Sequence, residues 1–328
     1  MEGRRSRQRS ETDLEANAPI TNHRQWSKRP TESQEENMNI TRRKMLVGSV
    51  AVAGALVAMP NVLRAEGVIR VGLIPSEDSR AMLASSQQLL DALEKNLGMK
   101  VQGFVAADYN GVIEAMRAGH IEVAYLGPFS YVLGASVANI EAFATAETQK
   151  SGRTFYHSQI ITRKDSGIKD INDLKGRTFA FVDPSSTSGH LFPKAGLLKL
   201  GIDPEKFFGR VLFTGSHDAN ALAVANKRVD AATIADRIFD AAVQKNLVKR
   251  EDIHVVWSSD PIPESPTVWR KNLTPELKAK IKTAFFNIKD ITWADQGKLN
   301  RFVETNDAAY DVIRDTAKAL NLDLKKMK

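Results

Sequence analysis

The 328-residue sequence contains no cysteine. This absence excludes disulfide scaffolds, cysteine nucleophiles, iron–sulfur clusters and zinc sites built on thiolates. It also excludes a bacterial lipoprotein, which carries its lipid anchor on a cysteine. The six histidines never lie four residues apart on one predicted helix, so the helical zinc motif is absent too. We expect neither a metal nor an organic cofactor.

An excess of basic charge is also missing once the amino terminus is set aside. The net charge is +7, but residues 1–65 hold 11 Lys and Arg against 7 Asp and Glu. The rest of the chain holds 35 Lys and Arg and 32 Asp and Glu. These charges are interspersed, and no aromatic residues lie between basic runs. This pattern is typical of an ordinary solvated surface, and we expect no nucleic-acid binding.

The segment 38–65 carries the features of an export signal. Arg42 and Arg43 precede a mildly apolar run, 47–58, and Ala65 is a candidate cleavage site, so the segment resembles a twin-arginine signal peptide. The alternative is a membrane anchor. It is disfavoured because the run is shorter than the roughly 20 residues that span a bilayer.

Residues 1–37 are polar and poor in apolar side chains, so they form no hydrophobic core. We interpret them as a disordered extension or as a misassigned start, with Met38 as the true first residue. In either case the mature protein begins near Glu66. An exported protein without a lipid anchor is retained by an outer membrane, and the predicted location is therefore the periplasm.

Short apolar runs alternate with segments of helical spacing after residue 66, and this alternation indicates an α/β fold. The predicted strands are 68–74, 100–105, 121–126, 140–144, 178–182 and 229–234. The predicted helices are 81–97, 111–118, 131–137, 190–200 and 218–227, and the last sixty residues are expected to be mostly helical from Thr274. Helices of this length between strands predict parallel βαβ units. Two α/β lobes with a cleft between them are the economical architecture.

The loop 185–189, Ser-Ser-Thr-Ser-Gly, lies between a predicted strand and a predicted helix. Hydroxyls and free backbone N–H groups converge there, where the helix dipole favours negative charge. The loop contains no lysine, so a nucleotide-binding P-loop is excluded. Two interpretations stay open on these residues: an anion site, or simple capping of the helix by serine.

The segment 182–189, Val-Asp-Pro-Ser-Ser-Thr-Ser-Gly, resembles the signature loop of the phosphonate-binding proteins of ABC importers. Further segments that fit the family follow in family order at 107–111, 217–227, 267–273 and 310–314. The resemblance implies a two-lobed periplasmic binding protein of type II that closes over one oxyanion. It implies lobes 66–157 plus 262–328 and 158–261, with hinge crossings near 156–159 and 258–261.

The same resemblance assigns the ligand contacts. It implies that the oxyanion is held by Ser186, Thr187 and Ser188, by the facing tyrosines Tyr109 and Tyr125, and by His217. Two alternatives stay open, since Tyr125 also suits a packed core tyrosine and His217 a residue that caps a loop.

The sequence departs from the family where aminoethylphosphonate-binding members pair two carboxylates with the ligand ammonium. These positions fall on Arg237 and Ser265, with Asp236 and Glu264 beside them. Loss of the carboxylates argues against an ammonium-bearing ligand. A register slip of one residue would restore the amine site through Asp236 and Glu264. Arg237 could also receive a carboxylate, plug the pocket or form a salt bridge. The ligand therefore stays open among phosphite, methylphosphonate, another small alkylphosphonate and a phosphonocarboxylate.

We expect a binding protein, not an enzyme, that delivers its ligand as a monomer to an ABC permease in the inner membrane. One alternative is a binding protein for sulfonate, nitrate or sulfate. The other is a phosphoester or phosphonate hydrolase on the same scaffold, but the sequence shows no recognisable pair of nucleophile and base.

Overall fold

The computed structural model describes residues 67–148, 152, 154–293 and 296–327, which all belong to one compact unit, Pro60–Lys328. The predicted leader 1–37 and signal 38–65 lie outside the described residues. The strands are β1 (Ile69–Leu73), β2 (Val101–Val105), β3 (Val123–Tyr125), β4 (Ile140–Thr148), β5 (Phe155–Tyr156), β6 (Ser158–Arg163), β7 (Thr178–Phe181), β8 (Arg210–Phe213), β9 (Ala231–Ala235), β10 (Ile253–Ser258), β11 (Ile262–Pro263), β12 (Pro266–Arg270), β13 (Lys289–Trp293) and β14 (Gly297–Glu304).

The α-helices lie between these strands and after the last of them. They are α1 (Ser79–Ser85), α2 (Gln87–Leu97), α3 (Tyr109–Arg117), α4 (Pro128–Val137), α5 (Phe192–Lys199), α6 (Pro204–Phe207), α7 (His217–Ala225), α8 (Asp236–Gln244), α9 (Pro275–Phe286) and α10 (Asp311–Ala319). Side-chain caps begin several of them, as when Thr274 accepts from Leu277 N ahead of Pro275. In the described part of the chain, no helix is long and apolar enough to cross a membrane.

The strands form two main sheets, which we call the sheets of lobe I and lobe II. The lobe I sheet has the order β13-β14-β4-β12-β3-β1-β2 and the lobe II sheet the order β10-β6-β9-β7-β8. In lobe II, Ile160 and Phe179 pack on one face while Ile161 and Ala180 pack on the other. This alternation follows from the two-residue period of a strand and explains why a continuous apolar run becomes a central strand.

Two short strands join the lobes where the chain passes between them. The strands β5 and β11 pair antiparallel, with Ile262 opposite Tyr156. Next to them, Ser158 N donates to Ser259 Oγ over 2.9 Å, and Ser259 N donates to Ser158 O over 2.9 Å. The two crossings therefore lie side by side and support each other. The lobe boundaries inferred from the resemblance stay a prediction.

The sheets are only partly parallel. The predicted βαβ units produce parallel pairs of β1 with β2 and β3, and of β7 with β8 and β9. Strands that follow a crossing run the other way: β12 is antiparallel to β3 and β4, and β6 to β9 and β10. After a crossing, the chain enters the sheet of the new lobe from the hinge, and its first strand there runs against the neighbouring strands. The local pattern of strands and helices did not reveal this reversal.

The prediction that the last sixty residues are mostly helical is wrong over 289–293 and 297–304. These residues form the hairpin β13–β14, which extends the lobe I sheet. Leu299 and Phe302 are both buried, and their spacing of three residues is typical of a helix. A bulge between Leu299 and Arg301 shifts the register and turns both side chains to one face of the strand.

Candidate functional site

The loop between β7 and α5 is shaped by its own hydrogen bonds. Ser185 N donates to Asp183 Oδ1 over 2.7 Å, and Gly189 N donates to Ser186 Oγ over 3.0 Å. Leu191 N donates to Ser186 O over 3.0 Å, which closes a single π-helical turn, Thr187–Leu191. Turns of this kind are frequent at functional sites. The capping interpretation therefore applies to Ser186, whose hydroxyl accepts from the backbone.

Gly189 is required by close packing inside this turn. A Cβ at this position would lie 2.4 Å from Val182 Cβ and 2.6 Å from Ser186 Oγ, both too short for any side chain. The loop therefore folds tightly against the end of β7, which only a residue without a side chain allows.

A small cavity lies between this loop and lobe I. Most of its lining residues carry a hydroxyl group, and among those described none is an aspartate or glutamate: Ile74, Ser76, Tyr109, Gly127, Tyr156, Ser186, Thr187, Ser188, His217, Arg237 and Ser265. Most of the polar groups are uncharged donors, and the single cation is Arg237. The cavity therefore suits an anion rich in oxygen atoms.

Thr187 links the two lobes directly at this cavity. Its Oγ1 accepts from Phe129 N over 2.8 Å. Phe129 lies in the first turn of α4, whose N-cap residue Gly127 offers no side-chain oxygen. Thr187 in the opposite lobe therefore caps this helix. Because the Thr187 oxygen acts as an acceptor in this contact, its hydroxyl proton can be donated to a ligand.

Tyr156 is a cavity residue that the sequence reasoning missed. It lies on the crossing strand β5 and interacts through its hydroxyl with the side chains of Thr187 and Ser188. Burial raises its pKa, so it stays a neutral donor at physiological pH. The aromatic run 155–157 at the crossing was a signal in the sequence, but only the paired crossings show that it faces the cavity.

His217 presents one defined nitrogen to the cavity. It is the first residue of α7, and its Nδ1 accepts from Ala235 N over 3.2 Å. The proton of the neutral ring therefore sits on Nε2, which becomes a donor. His217 also binds lobe I, because its backbone N donates to Ser76 O over 2.9 Å.

The two predicted tyrosines occupy different places. Tyr109, at the start of α3, lines the cavity. Tyr125 does not appear in the cavity wall and lies behind Arg237, whose Nη2 donates to the Tyr125 hydroxyl over 3.3 Å. The ring of Tyr125 packs edge-on against Trp293 with centroids 4.7 Å apart. The structure thus favours the core interpretation of Tyr125, with a hydroxyl that orients the arginine.

Arg237 and Glu264 form a buried ion pair at the edge of the cavity. Arg237 Nε lies 3.1 Å from Glu264 Oε1, and the Glu264 side chain is only 2% exposed. The same oxygen accepts from Ser265 N over 2.9 Å and from Gln296 Nε2 over 3.2 Å. The carboxylate is therefore satisfied within the protein, as a buried charge must be.

The remaining predicted residues lie around this pair. Ser265 lines the cavity, and its Oγ accepts from Arg237 Nη2 over 3.3 Å. The guanidinium lies over the ring of Tyr156, 4.8 Å from its centroid. Asp236 lines a wider neighbouring cleft and accepts from Arg237 N over 2.8 Å. Arg237 and Glu264 line the wider cleft together with Asp236. Asp236 is not among the residues that line the small cavity, on which the other predicted residues converge: Ser186, Thr187, Ser188, Tyr109, His217, Arg237 and Ser265.

Metal binding finds no support among the described residues, where no group of three or more His, Asp and Glu is placed to hold an ion.

Comparison with known proteins decides the class of this site. A family model described as "ABC transporter, phosphonate, periplasmic substrate-binding protein" matches residues 71–310. The chain belongs to this family of phosphonate-type periplasmic binding proteins. It is therefore the substrate-binding component of an ABC transporter and not an enzyme, as the sequence predicted.

Individual relatives agree with the family assignment. The chain is 35% identical over 72% of its length to the phosphate-import protein PhnD of Mycolicibacterium smegmatis, of which it covers 80%. It is 37% identical over 68% of its length to the phosphonates-binding periplasmic protein of Escherichia coli, of which it covers 66%. The family model and the Escherichia coli relative support a periplasmic location.

A solved structure confirms the two-lobed fold of this family. The binding-protein component of an ABC phosphonate transporter from Pseudomonas aeruginosa superimposes with a TM-score of 0.71 at 33% identity, covering 76% of this chain and 85% of that chain.

His190 supports the anion loop without lining the cavity. Its ring packs edge-on against Phe181 and Phe213, and Nδ1–H donates to Pro184 O over 2.9 Å. Burial lowers the pKa of His190 to about 4. The residue is therefore neutral in the folded protein.

We expect this depressed pKa to make the fold acid-sensitive. Between about pH 6.5 and pH 4 the unfolded chain binds a proton at His190 that the folded chain does not, so stability is lost as the pH falls through this window. The loss should approach about 3 kcal/mol at pH 4. Chemical denaturation at stepwise pH measures it. His190→Asn keeps a donor for Pro184 but cannot titrate, so its stability should fall less in this window; an equal slope in both proteins would contradict the assignment.

Proposed function

We propose that this protein captures a small phosphorus oxyanion that carries no cationic group, such as phosphite, phosphate or methylphosphonate, and delivers it to an ABC permease in the inner membrane. The observation that carries the proposal is the buried Arg237–Glu264 ion pair beside a cavity of uncharged donors. The names of the relatives, a phosphate-import protein and a phosphonates-binding protein, agree with a phosphorus oxyanion.

The donors around the cavity match the needs of a tetrahedral anion. We assign the oxyanion contacts to the hydroxyls of Tyr109, Thr187 and Ser188, to His217 Nε2–H and to the guanidinium of Arg237. Hydrogen bonds to a charged acceptor contribute roughly 1.5–3 kcal/mol each. A few such bonds hold a small anion without any covalent chemistry.

The ion pair argues against a ligand that carries an ammonium. The carboxylate of Glu264 is already paired with the Arg237 guanidinium and accepts hydrogen bonds from Gln296 Nε2 and Ser265 N. An ammonium would need an unpaired acid here, and Glu264 is not one. Two like charges 4 Å apart repel by about 4 kcal/mol at an effective dielectric constant of 20. A phosphonocarboxylate is disfavoured as well, because Arg237, the cation that would receive its carboxylate, is already paired with Glu264.

Calorimetric titration with phosphite, phosphate, methylphosphonate, aminoethylphosphonate and sulfate tests the proposal. We expect one of the first three to bind tightest, and aminoethylphosphonate to bind at least about 100-fold more weakly, in line with the repulsion above. Tightest binding of aminoethylphosphonate would contradict the role given to Arg237. Tightest binding of sulfate would show that the ligand is a sulfur oxyanion and would contradict the proposed ligand class.

Ligand capture is proposed to close the lobes 66–157 plus 262–328 and 158–261 around the crossings near 156–159 and 258–261. Motion of this kind concentrates in a few residues at the hinge. We propose that the protein acts as a monomer. Small-angle scattering with and without methylphosphonate should show a monomer that becomes more compact on binding.

Export is proposed to use the twin-arginine signal, with Met38 as the first residue. Replacing Arg42 and Arg43 together by lysine should reduce the periplasmic fraction at least tenfold, because this pathway recognises the arginine pair. Cell fractionation measures the effect. A chain started at Met38 is the control and should be exported as the full sequence is; equal export of the lysine variant would contradict a twin-arginine route.

A further inference from the structure

Three consecutive residues of lobe I hold lobe II at the rim of the cleft. The loop between β1 and α1 contains Ser76, Glu77 and Asp78. Ser76 O accepts from His217 N over 2.9 Å, and Asp78 N donates to Asp218 Oδ2 over 2.8 Å. Between them, Glu77 Oε1 lies 2.7 Å from Lys245 Nζ.

The ion pair is unequal in its exposure. The Glu77 side chain is 2% exposed, whereas that of Lys245 is 39% exposed. A carboxylate buried this far needs its cation, since an unpaired buried charge is costly. When the lobes separate, Glu77 meets water and the need for Lys245 disappears. Removing Lys245 therefore penalises the closed form far more than the open one.

The segment is connected to the ligand cavity through its first residue. Ser76 lines the cavity, and so does its partner His217, whereas Glu77, Lys245, Asp78 and Asp218 are not among the lining residues described. An anion that orders Ser76 and His217 thus also positions Glu77 and Asp78, which follow Ser76 in the chain, for their contacts with lobe II.

We infer that Ser76–Glu77–Asp78, together with Asp218 and Lys245, forms a latch that engages on closure and slows ligand release, with Glu77 and Lys245 as positioning residues that never touch the ligand. The inference rests on the proposed function only through the choice of methylphosphonate as the probe. The latch itself follows from the contacts between the lobes.

Dissociation kinetics of methylphosphonate test the latch. Lys245→Met keeps most of the side-chain stem and removes the charge. It should raise the dissociation rate about tenfold and change the association rate by less than twofold, because truncating one partner of a buried charge pair acts mainly on dissociation. Lys249→Met, an exposed lysine four residues further along the chain, is the matched control and should leave both rates unchanged.

A double-mutant cycle and salt dependence separate the latch from general destabilisation. Glu77→Gln together with Lys245→Met should release ligand no faster than Lys245→Met alone, since the two side chains form one interaction. Raising the salt concentration should speed release from the wild-type protein and have little effect on the variant. Equal rates in wild type and Lys245→Met, or a loss confined to association, would overturn the latch.

Lobe separation in the ligand-free protein provides a readout that does not depend on the ligand. The cysteine-free chain allows spin labels at Lys95→Cys in lobe I and Lys206→Cys in lobe II. The Lys245→Met protein should show a smaller fraction of short interlobe distances than the wild type. Wild-type protein that fails to bind methylphosphonate, phosphite and phosphate contradicts the proposed function, and the distance distributions then decide the latch alone. Identical distributions in the two proteins contradict the latch.

Discussion

Replacing Arg237 with alanine is expected to weaken methylphosphonate binding about 100-fold and to move the ligand preference towards aminoethylphosphonate by at least as much. The variant leaves Glu264, 2% exposed, without its cation, and an unpaired buried carboxylate costs several kcal/mol. A ligand ammonium can supply the missing charge, whereas methylphosphonate cannot. Calorimetric titration of both ligands against wild type and variant measures the two effects.

A charge-neutral pair of substitutions is the control for Arg237→Ala. The double variant Arg237→Gln and Glu264→Gln removes both charges and keeps polar groups at both positions, so it should show much less preference for aminoethylphosphonate than Arg237→Ala. If Arg237→Ala still rejected aminoethylphosphonate as the wild type is expected to, Glu264 would not be the acid that decides the ligand class. Thermal unfolding of each variant without ligand identifies any general loss of structure.

Replacing Thr187 with valine should reduce the affinity for the preferred oxyanion by about 100-fold or more. Valine preserves the shape but removes two interactions, the proposed contact with the ligand and the acceptor for Phe129 N over 2.8 Å. A lost hydrogen bond to a charged group costs roughly 1.5–3 kcal/mol, and a buried N–H left without an acceptor adds about 1–3 kcal/mol. Because Phe129 belongs to the opposite lobe, the second cost arises when the lobes are closed.

Thr187→Ser separates the hydroxyl from the rest of the side chain. Serine retains the acceptor and the donor, so its affinity should stay within about fivefold of wild type, as expected when only a methyl group is lost. The dissociation constants of the three proteins and their melting temperatures without ligand are the measurements. Similar affinities for the valine and serine variants would remove Thr187 from the proposed site.

Several parts of the site followed from local sequence pattern. The loop 182–189 was assigned as a possible anion site because hydroxyl residues stand between a strand and a helix, and Ser186, Thr187 and Ser188 do line the cavity. Most predicted strands and helices of 66–286 have counterparts in the structure. These features depend on residues near one another in the chain, where periodicity and capping act.

Other parts depended on contacts between residues far apart in the chain. The sequence left open whether Asp236 and Glu264 restore an amine site; the structure pairs Glu264 with Arg237 and places both carboxylates on the wider cleft, outside the lining of the small cavity. Tyr125 was expected at the ligand, yet Tyr156 lines the cavity instead. The hairpin β13–β14 was missed because a bulge imitates helical spacing.

The sequence by itself determined the α/β fold and the absence of thiolate chemistry, because the periods of strands and helices are properties of neighbouring residues and the lack of cysteine is a property of composition. It also singled out the loop 185–189, as either an anion site or a helix cap, from its hydroxyl residues between a strand and a helix. Only the tertiary structure decided which charges neutralise each other and which residues hold the lobes together. Arg237 with Glu264, Thr187 with Phe129, and Glu77 with Lys245 are each separated by 27 to 168 positions in the chain. Their meeting depends on how the two crossings bring one lobe against the other, which no local pattern specifies.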